Sequence, residues 1–440
     1  MNGLLNIVFG FDSAKQDVRT EIVAGITTFL TMAYILAVNP LIFSAVPDMP
    51  QGSVFTATAL ASIVATLVMA FYAKKPYALA PGMGLNAYFV YTVCLGMGYS
   101  WKLALTAVLL EGLLFIILTV TKVRSWLMNA IPSCLKKAVG AGIGLFIAFI
   151  GLQHAGIIVD NPETLVSLGN LTEGKALLGV IGLVIIGMLL TLKVRGGLLL
   201  GILLTAIVGL VIKDPSTGEP LTQFHGMMSM PDSVGPIFCQ FQWDQVFTLD
   251  MLLVIFSFLF LDIFDTMGTV IAVSQKAGYV DKNGNIPGAE KVFMADAVGT
   301  VCGACLGTST TTTYVESTAG VSAGGRGGLT AFTVAVCFIL ALFFSPIFLA
   351  IPGAATAPAL IVVGMMMMQP IGEIDWSNSR EAVPAFLCLV LIPLTYSISD
   401  GILLSVIAYV LLEALSGKYR EISPVMWVLA VLSILKYIFL

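Results

Sequence analysis

The sequence predicts an all-α polytopic membrane protein with 14 transmembrane spans in a 7+7 inverted repeat, and two observations carry that prediction. The first is composition. The chain has 440 residues, 58% hydrophobic and only 10% charged, with mean hydropathy +0.99. Soluble domains carry about 25% charged residues, so a water-soluble chain of this length could not cover its surface. The second is periodicity. Apolar runs of about 20 residues recur between charged or Gly/Pro breaks, the length a helix needs to cross a bilayer. No alternating strand pattern of the porin kind is present.

The first half yields segments 21–43, 54–72, a short one near 79–95, then 103–121, 138–158, 176–192 and 198–212. A polar stretch rich in Pro, Gly and Asp follows at 213–250. The second half yields 251–273, 292–306, a short segment near 308–323, then 329–349, 355–368, 382–398 and 402–415. The chain is thus read as one repeat over 20–212, an extracytoplasmic linker over 213–250 and a second repeat over 251–416. The apolar stretch 425–440 reads as an interfacial or extra terminal helix.

Basic residues set the expected orientation. Lys15, Arg19, Lys74, Lys75, Lys122, Arg124, Lys136, Lys137, Lys193, Arg195, Lys276, Lys282, Lys291, Arg326, Arg380, Lys418 and Arg420 fall on one side. Lys102, Lys175 and Lys213 fall on the other. The positive-inside rule makes the first side cytoplasmic, so both ends of the 14-span unit are expected there. An odd number of spans per half inverts the second half relative to the first. The start of the chain lacks a basic n-region and a small-residue cleavage site, so no signal peptide is expected.

The third span of each half is interrupted. Residues 78–88 carry Pro81, Gly82 and Gly84, and residues 307–320 are crowded with Thr and Ser. Paired broken segments at corresponding positions point to a midplane binding site. Irregular backbone survives at that depth only inside protein or along a cavity. The ends of half-helices there offer free N–H groups to a ligand.

Three acids sit in this setting. Asp262 and Asp265 lie in an apolar run, and Glu316 follows the Thr/Ser stretch. A carboxylate at the bilayer centre costs roughly 2.5–3.5 kcal/mol on insertion scales, so these groups are functional candidates. Asp262 and Asp265 are three apart and expected on neighbouring parts of one helix face. Asp265 is expected to meet Glu316 across a small polar chamber. A carboxylate accepts two parallel hydrogen bonds from a planar heterocycle with adjacent N–H donors. Burial would also favour proton uptake by one of the acids. The competing reading makes these acids helix caps. Asn86 serves either as a ligand or as the cap of a half-helix. For most hydroxyls of 308–313, satisfaction of broken backbone is the expected role. Tyr88, Phe29 and Phe264 offer rings for stacking, or simply pack.

Other features point away from alternatives. His154 and His225 lie away from the acids, so no metal site and no cofactor are expected. Cys302 and Cys305 have CxxC spacing without a second pair, and the seven cysteines read as small apolar packing residues. Residues 365–368 are a Met run for adaptable packing. The turn at 324–328 lacks the Lys-Ser/Thr of a phosphate loop, so transport would draw on an ion gradient.

Residues 18–35, 80–89, 262–269 and 307–328 resemble the AzgA-like purine permeases of the nucleobase–cation symporter superfamily, and the likeness runs along essentially the whole chain. The resemblance implies a core domain from spans 1–4 and 8–11 and a gate domain from spans 5–7 and 12–14. Substrate would lie between spans 1, 3, 8 and 10. It implies substrate contacts from Asp265, Glu316 and Asn86, with Thr28, Tyr88, Phe264 and Val315 in the neighbouring segments. Uracil-permease relatives carry a proton-linked His four residues after the span-8 acid; Thr269 stands there, leaving Asp262, Asp265 and Glu316 as proton carriers. The expected activity is import of guanine, hypoxanthine or adenine with protons, in a cell membrane, by a chain that relatives suggest forms a homodimer through the gate domain. Two rivals were weighed. An anion exchanger or channel shares the 7+7 architecture but needs positive charge at mid-depth. An intramembrane aspartyl protease needs its acids on two helices and leaves the broken segments without purpose.

Overall fold

The computed structural model describes residues 2–12, 16–121, 131–224, 226–280 and 286–439; the side chains of 2–4, 249, 264 and 439 stand outside that description. Lys15, Lys122, Arg124, Lys282 and His225, and the ring of Phe264, therefore fall outside the described part.

After a short helix α1 (Asn2–Phe9), the first half runs through α2 (Val18–Met32), α3 (Ile35–Phe43) and α4 (Gln51–Val68), which ends in a wide turn at Met69–Ala73. Strand β1 (Leu79–Pro81) precedes α5 (Met83–Ala87), which continues as a wide helix over Tyr88–Gly96. Then come α6 (Trp101–Val120), α7 (Ser133–His154), a hairpin of β2 (Ile158–Asn161) and β3 (Leu165–Leu168), α8 (Gly174–Thr191) and α9 (Gly197–Val208). The second half has α10 (Leu249–Ala277), α11 (Ala289–Leu306), β4 (Thr311–Thr313), α12 (Ser317–Ser322), α13 (Gly328–Ala341), α14 (Ser345–Leu349), α15 (Gly353–Met367), α16 (Ser379–Leu394), α17 (Ile398–Leu415) and α18 (Pro424–Phe439). Among the described residues, 9 helices are long and apolar enough to cross a membrane. Their outer faces expose Ile117, Val120, Val184 and Leu415, as a lipid-facing surface requires.

The helices pack in two groups. In one, α2, α4, α6, α11 and α13 surround the broken segments, and α10 lies against α6 and α12. In the other, α7 packs along α15 and α16, α16 along α17, and α8 along α9 and α15. The 213–250 stretch lies over one end of the first group. Ser53 donates to Ser233 O at 2.8 Å, Ser229 N to Phe343 O at 3.0 Å, and Cys239 N to Cys305 O at 2.7 Å.

The two broken segments pair with each other. β1 and β4 form an antiparallel ladder, with Leu79 opposite Thr313, Ala80 opposite Thr312 and Pro81 opposite Thr311. The consecutive Thr residues suit an extended strand, being β-branched. Pro81 has no N–H to leave unpaired at the end of the ladder. Thr66 of α4 satisfies Leu79 from the side, accepting from its N–H at 3.0 Å, and Ser317 accepts from Ala78 N at 3.0 Å. Each broken segment therefore enters as strand and continues as helix, where the sequence indicated only a short, interrupted span.

Of the segment 425–440, all but residue 440, which lies outside the described residues, falls in α18, which returns along α17. Lys436 Nζ lies 2.7 Å from Asp400 Oδ1 at the start of α17, and Tyr437 donates to the same oxygen at 2.9 Å. Contacts at opposite ends of the two helices make them antiparallel neighbours, so α18 runs alongside a long apolar helix.

Candidate functional site

The β1–β4 crossing gathers the buried polar groups of the first helix group. α10 contributes Asp262 and Asp265, and Glu316 stands just before α12. Asp265 and Glu316 are each half-buried, while Asp262 is fully buried. Thr312 of β4 donates to Asp265 Oδ2 at 3.3 Å, and Tyr34 donates to Glu316 Oε1 at 2.6 Å. Tyr314 lies between them in the chain and ties the segments together by donating to Pro81 O at 2.6 Å. The two acids thus reach one region from the long helix α10 and from the interrupted span of β4 and α12. Val315 is 48% exposed, and a Cβ on Gly268 would meet nothing within 4 Å.

Asp262 belongs to a different network, contrary to the shared face expected from its spacing to Asp265. Thr266 Oγ1 is 3.1 Å from Asp262 Oδ1 and 2.5 Å from Asp296 Oδ2. Thr313 donates to Asp296 Oδ1 at 2.9 Å. Three residues on a helix leave about 60° between side chains. That angle sends Asp262 toward α11 and Asp265 toward β4.

Asn86 is fully buried and accepts from Ser309 Oγ, while its amide nitrogen has no protein partner. A donor is therefore left uncommitted beside the crossing. The hydroxyls of 308–313 mostly serve side chains rather than backbone, against expectation. Thr310 donates to Glu111 at 3.1 Å, Thr312 to Asp265, Thr313 to Asp296 and Ser309 to Asn86, and Thr308 lies 3.1 Å from Asn39 Nδ2. Tyr88 is buried with its ring edge-on to Phe258 at 4.8 Å, and Phe29 meets Phe338 edge-on at 5.2 Å. Both rings are thus engaged in packing. Thr28 is buried in the contact of α2 with α12.

Several residues escaped the sequence reading. Asp296 and Glu111 are fully buried acids inside apolar segments, the same signal that singled out Asp262. Tyr34 gave no such signal; it matters because the first span breaks at Ala33–Tyr34, between α2 and α3. Glu21, 1% exposed, accepts from Arg326 N at 2.8 Å, Gly327 N at 3.1 Å and Thr330 Oγ1 at 2.5 Å, anchoring the 324–328 turn.

The site depends on a close approach. A Cβ on Gly320 would lie 2.1 Å from Thr28 Oγ1 and 2.6 Å from Ala24 O. The second atom is backbone and cannot rotate away. Gly320→Ala is therefore expected to push α12 off α2 at a cost of about 1–3 kcal/mol, read as a lower melting temperature of the detergent-purified protein.

A bundle of long apolar helices around two half-strand, half-helix segments, with carboxylates at their crossing, is the architecture of a polytopic membrane transporter. Residues 19–404 match Xan_ur_permease, described as a permease family, and the chain belongs to that family. It is a transporter, not an enzyme. Its sequence is 47% identical over 443 residues to the guanine/hypoxanthine permease PbuG of Bacillus subtilis, covering 98% of this chain and 99% of that one. It is 40% identical to the adenine permease AdeP of Escherichia coli, covering 100% and 97%. It is 48% identical to the putative permease MJ0326 of Methanocaldococcus jannaschii, covering 98% of each chain. Among solved structures it resembles the transmembrane domain of the cyanobacterial bicarbonate transporter BicA, with TM-score 0.66 at 15% identity, covering 87% of this chain and 97% of that one. It also resembles SLC26A9, with TM-score 0.64 at 12% identity, covering 93% and 69%. These two likenesses show the fold.

Proposed function

We propose that this permease imports purine nucleobases (guanine, hypoxanthine or adenine) by proton symport, alternating access between the two sides of the cell membrane. The observation that carries the reading is the pair Asp265 and Glu316. They are half-buried, fixed by Thr312 and Tyr34, and brought together from the long helix α10 and the interrupted span of β4 and α12. A carboxylate held this way accepts paired N–H groups from the edge of a planar base, and the uncommitted Asn86 amide supplies a donor. The curated relatives named for guanine, hypoxanthine and adenine support the same substrate class.

In this reading the helical segments make 14 spans in inverted repeats over 20–212 and 251–416, with both ends of the unit cytoplasmic. The group around the broken segments is the core domain and the α7–α9, α15–α17 group is the gate domain, with a homodimer forming through the gate. Substrate contacts come from Asp265, Glu316 and Asn86, with Val315, Thr28, Tyr88 and Phe264 in the surrounding segments; Asp262, Asp265 and Glu316 are the proton-carrying candidates. The anion-exchange alternative draws on the fold alone. An anion requires fixed positive charge or free N–H groups, and carboxylates are what this chamber presents.

The test is uptake of tritiated guanine, hypoxanthine and adenine into proteoliposomes under an acid-outside gradient. Accumulation above equilibrium that a protonophore collapses is expected. Failure to take up any purine, alongside uptake of bicarbonate or sulfate, would overturn the reading. Tyr34→Phe removes the hydroxyl that fixes Glu316. A hydrogen bond to a charged group contributes about 1.5 kcal/mol or more, so the KM for purine should rise by roughly tenfold with the protein still folded.

A further inference from the structure

Among the described residues, two adjacent residues of the interrupted span hydrogen-bond across to the group of α7 and α15–α17. Tyr91 Oη lies 3.1 Å from His154 Nε2 at the end of α7, and Thr92 Oγ1 donates to Tyr396 O at 3.1 Å, between α16 and α17. The rings close around these bonds. Tyr91 meets Tyr396 edge-on at 6.0 Å and Phe146 at 6.5 Å, while Tyr396 also packs on Phe146 at 5.2 Å and Phe149 at 5.8 Å. Tyr396 holds this place with φ +56°, a left-handed backbone that bulky residues rarely adopt. Such strain persists where surrounding contacts enforce it.

The cluster stands between a cavity and the broken segments. On one side, His154 borders a cavity of about 610 Å³ that also touches Gln153, Lys175 and the loop acids Asp214 and Glu219. On the other lies the crossing of the broken segments. Tyr91 is five residues beyond Asn86 on the same interrupted span, a little over one helical turn. Tyr91 and His154 thus link the lining of that cavity to the interrupted span that carries Asn86.

We propose that Tyr91, His154 and Tyr396 form the extracytoplasmic gate of the transport cycle. This rests on the alternating-access reading above. The three are positioning residues: they hold the core and gate groups together on the outer side while the acid chamber opens on the other. Separation of the groups breaks two hydrogen bonds and one aromatic cluster, a discrete contact of the kind that switches between two packed states.

The test uses a cysteine at Ser399, which is 7% exposed and borders a small cavity in the seam with Tyr88 and Ser257. In right-side-out vesicles carrying Ser399→Cys, labelling of that position by a membrane-impermeant maleimide is followed by peptide mass spectrometry. The exposed native Cys239 in the 213–250 stretch serves as the accessible control. Adding Tyr91→Phe or His154→Ala should each raise the labelling rate roughly two- to tenfold, the population shift that loss of one ordinary hydrogen bond produces. The double variant should exceed neither single, because both remove the same bond. His154→Gln, which restores a polar group, should return the rate toward wild type. Labelling unchanged in both single variants, or increments that add in the double, overturns the proposal. Labelling needs no substrate, so the two readings fail separately. Wild-type vesicles that take up no purine defeat the transport reading. Unchanged labelling beside normal wild-type uptake defeats the gate alone.

Discussion

Asp265→Asn and Glu316→Gln should each abolish concentrative purine uptake while leaving the protein folded. Both substitutions keep the volume of the side chain and remove its charge. Thr312 and Tyr34 retain an oxygen to donate to, so the local structure has no reason to collapse. The base loses more. An amide presents one acceptor and one donor where a carboxylate presents two acceptors. One N–H of the bound base then faces an N–H of the protein, and an unmet buried donor costs about 1–3 kcal/mol, more where a charge was involved. Proton carriage by that position is lost as well, because an amide does not titrate. Uptake of tritiated guanine or hypoxanthine into vesicles, normalised to folded protein, checks this. Wild-type rates from either variant would contradict it.

The second large effect concerns stability. Glu21→Ala should lower the unfolding free energy by roughly 3 kcal/mol or more. Glu21 is 1% exposed and receives the N–H groups of Arg326 and Gly327 together with the Thr330 hydroxyl. Removing the carboxylate leaves these donors without an acceptor in a buried place, each costing about 1–3 kcal/mol where nothing replaces it. The 324–328 turn joins α12 to α13, so its loosening would also disturb Glu316, which precedes α12. Glu21→Gln keeps one acceptor oxygen and should fall between alanine and wild type. Thermal unfolding in detergent reads the series. Equal melting temperatures for wild type and Glu21→Ala would show that the turn does not depend on this acid.

Much of the framework was legible in the sequence, because hydropathy reports directly on helices that face lipid. Apart from the two interrupted segments, which begin as strands, each apolar segment corresponds to a helical stretch with ends shifted by a few residues, as helix ends fray. The interruption at Pro81 and Gly82 was legible because those residues cannot continue a helix. The pairing of the interrupted segments was not, since the partners Leu79 and Thr313 are far apart in sequence and nothing local announces them. The break at Ala33–Tyr34 lacked even a Gly or Pro signal. Of the acids, Asp265 and Glu316 stood out by depth. Asp296 and Glu111 meet the same criterion, each alone in its apolar segment, one just before and one just after an interrupted span. Their partners, Thr313 and Thr310, are supplied by the Thr-rich strand. That strand is a hub of side-chain hydrogen bonds to buried acids, which composition alone suggested was merely satisfying its own backbone. His154 seemed remote from the site, and its contact with Tyr91 depends on packing between the two helix groups.

The central claim is that a purine base binds between Asp265 and Glu316. The most direct measurement is equilibrium binding to the purified protein of a panel of adenine, guanine, hypoxanthine, xanthine and uracil, with bicarbonate and sulfate as comparators. The account predicts saturable binding of at least one of guanine, hypoxanthine and adenine, unaffected by the anions and lost in Asp265→Asn and Glu316→Gln. Binding of bicarbonate or sulfate with no binding of any purine, or purine binding that survives both substitutions, would contradict it.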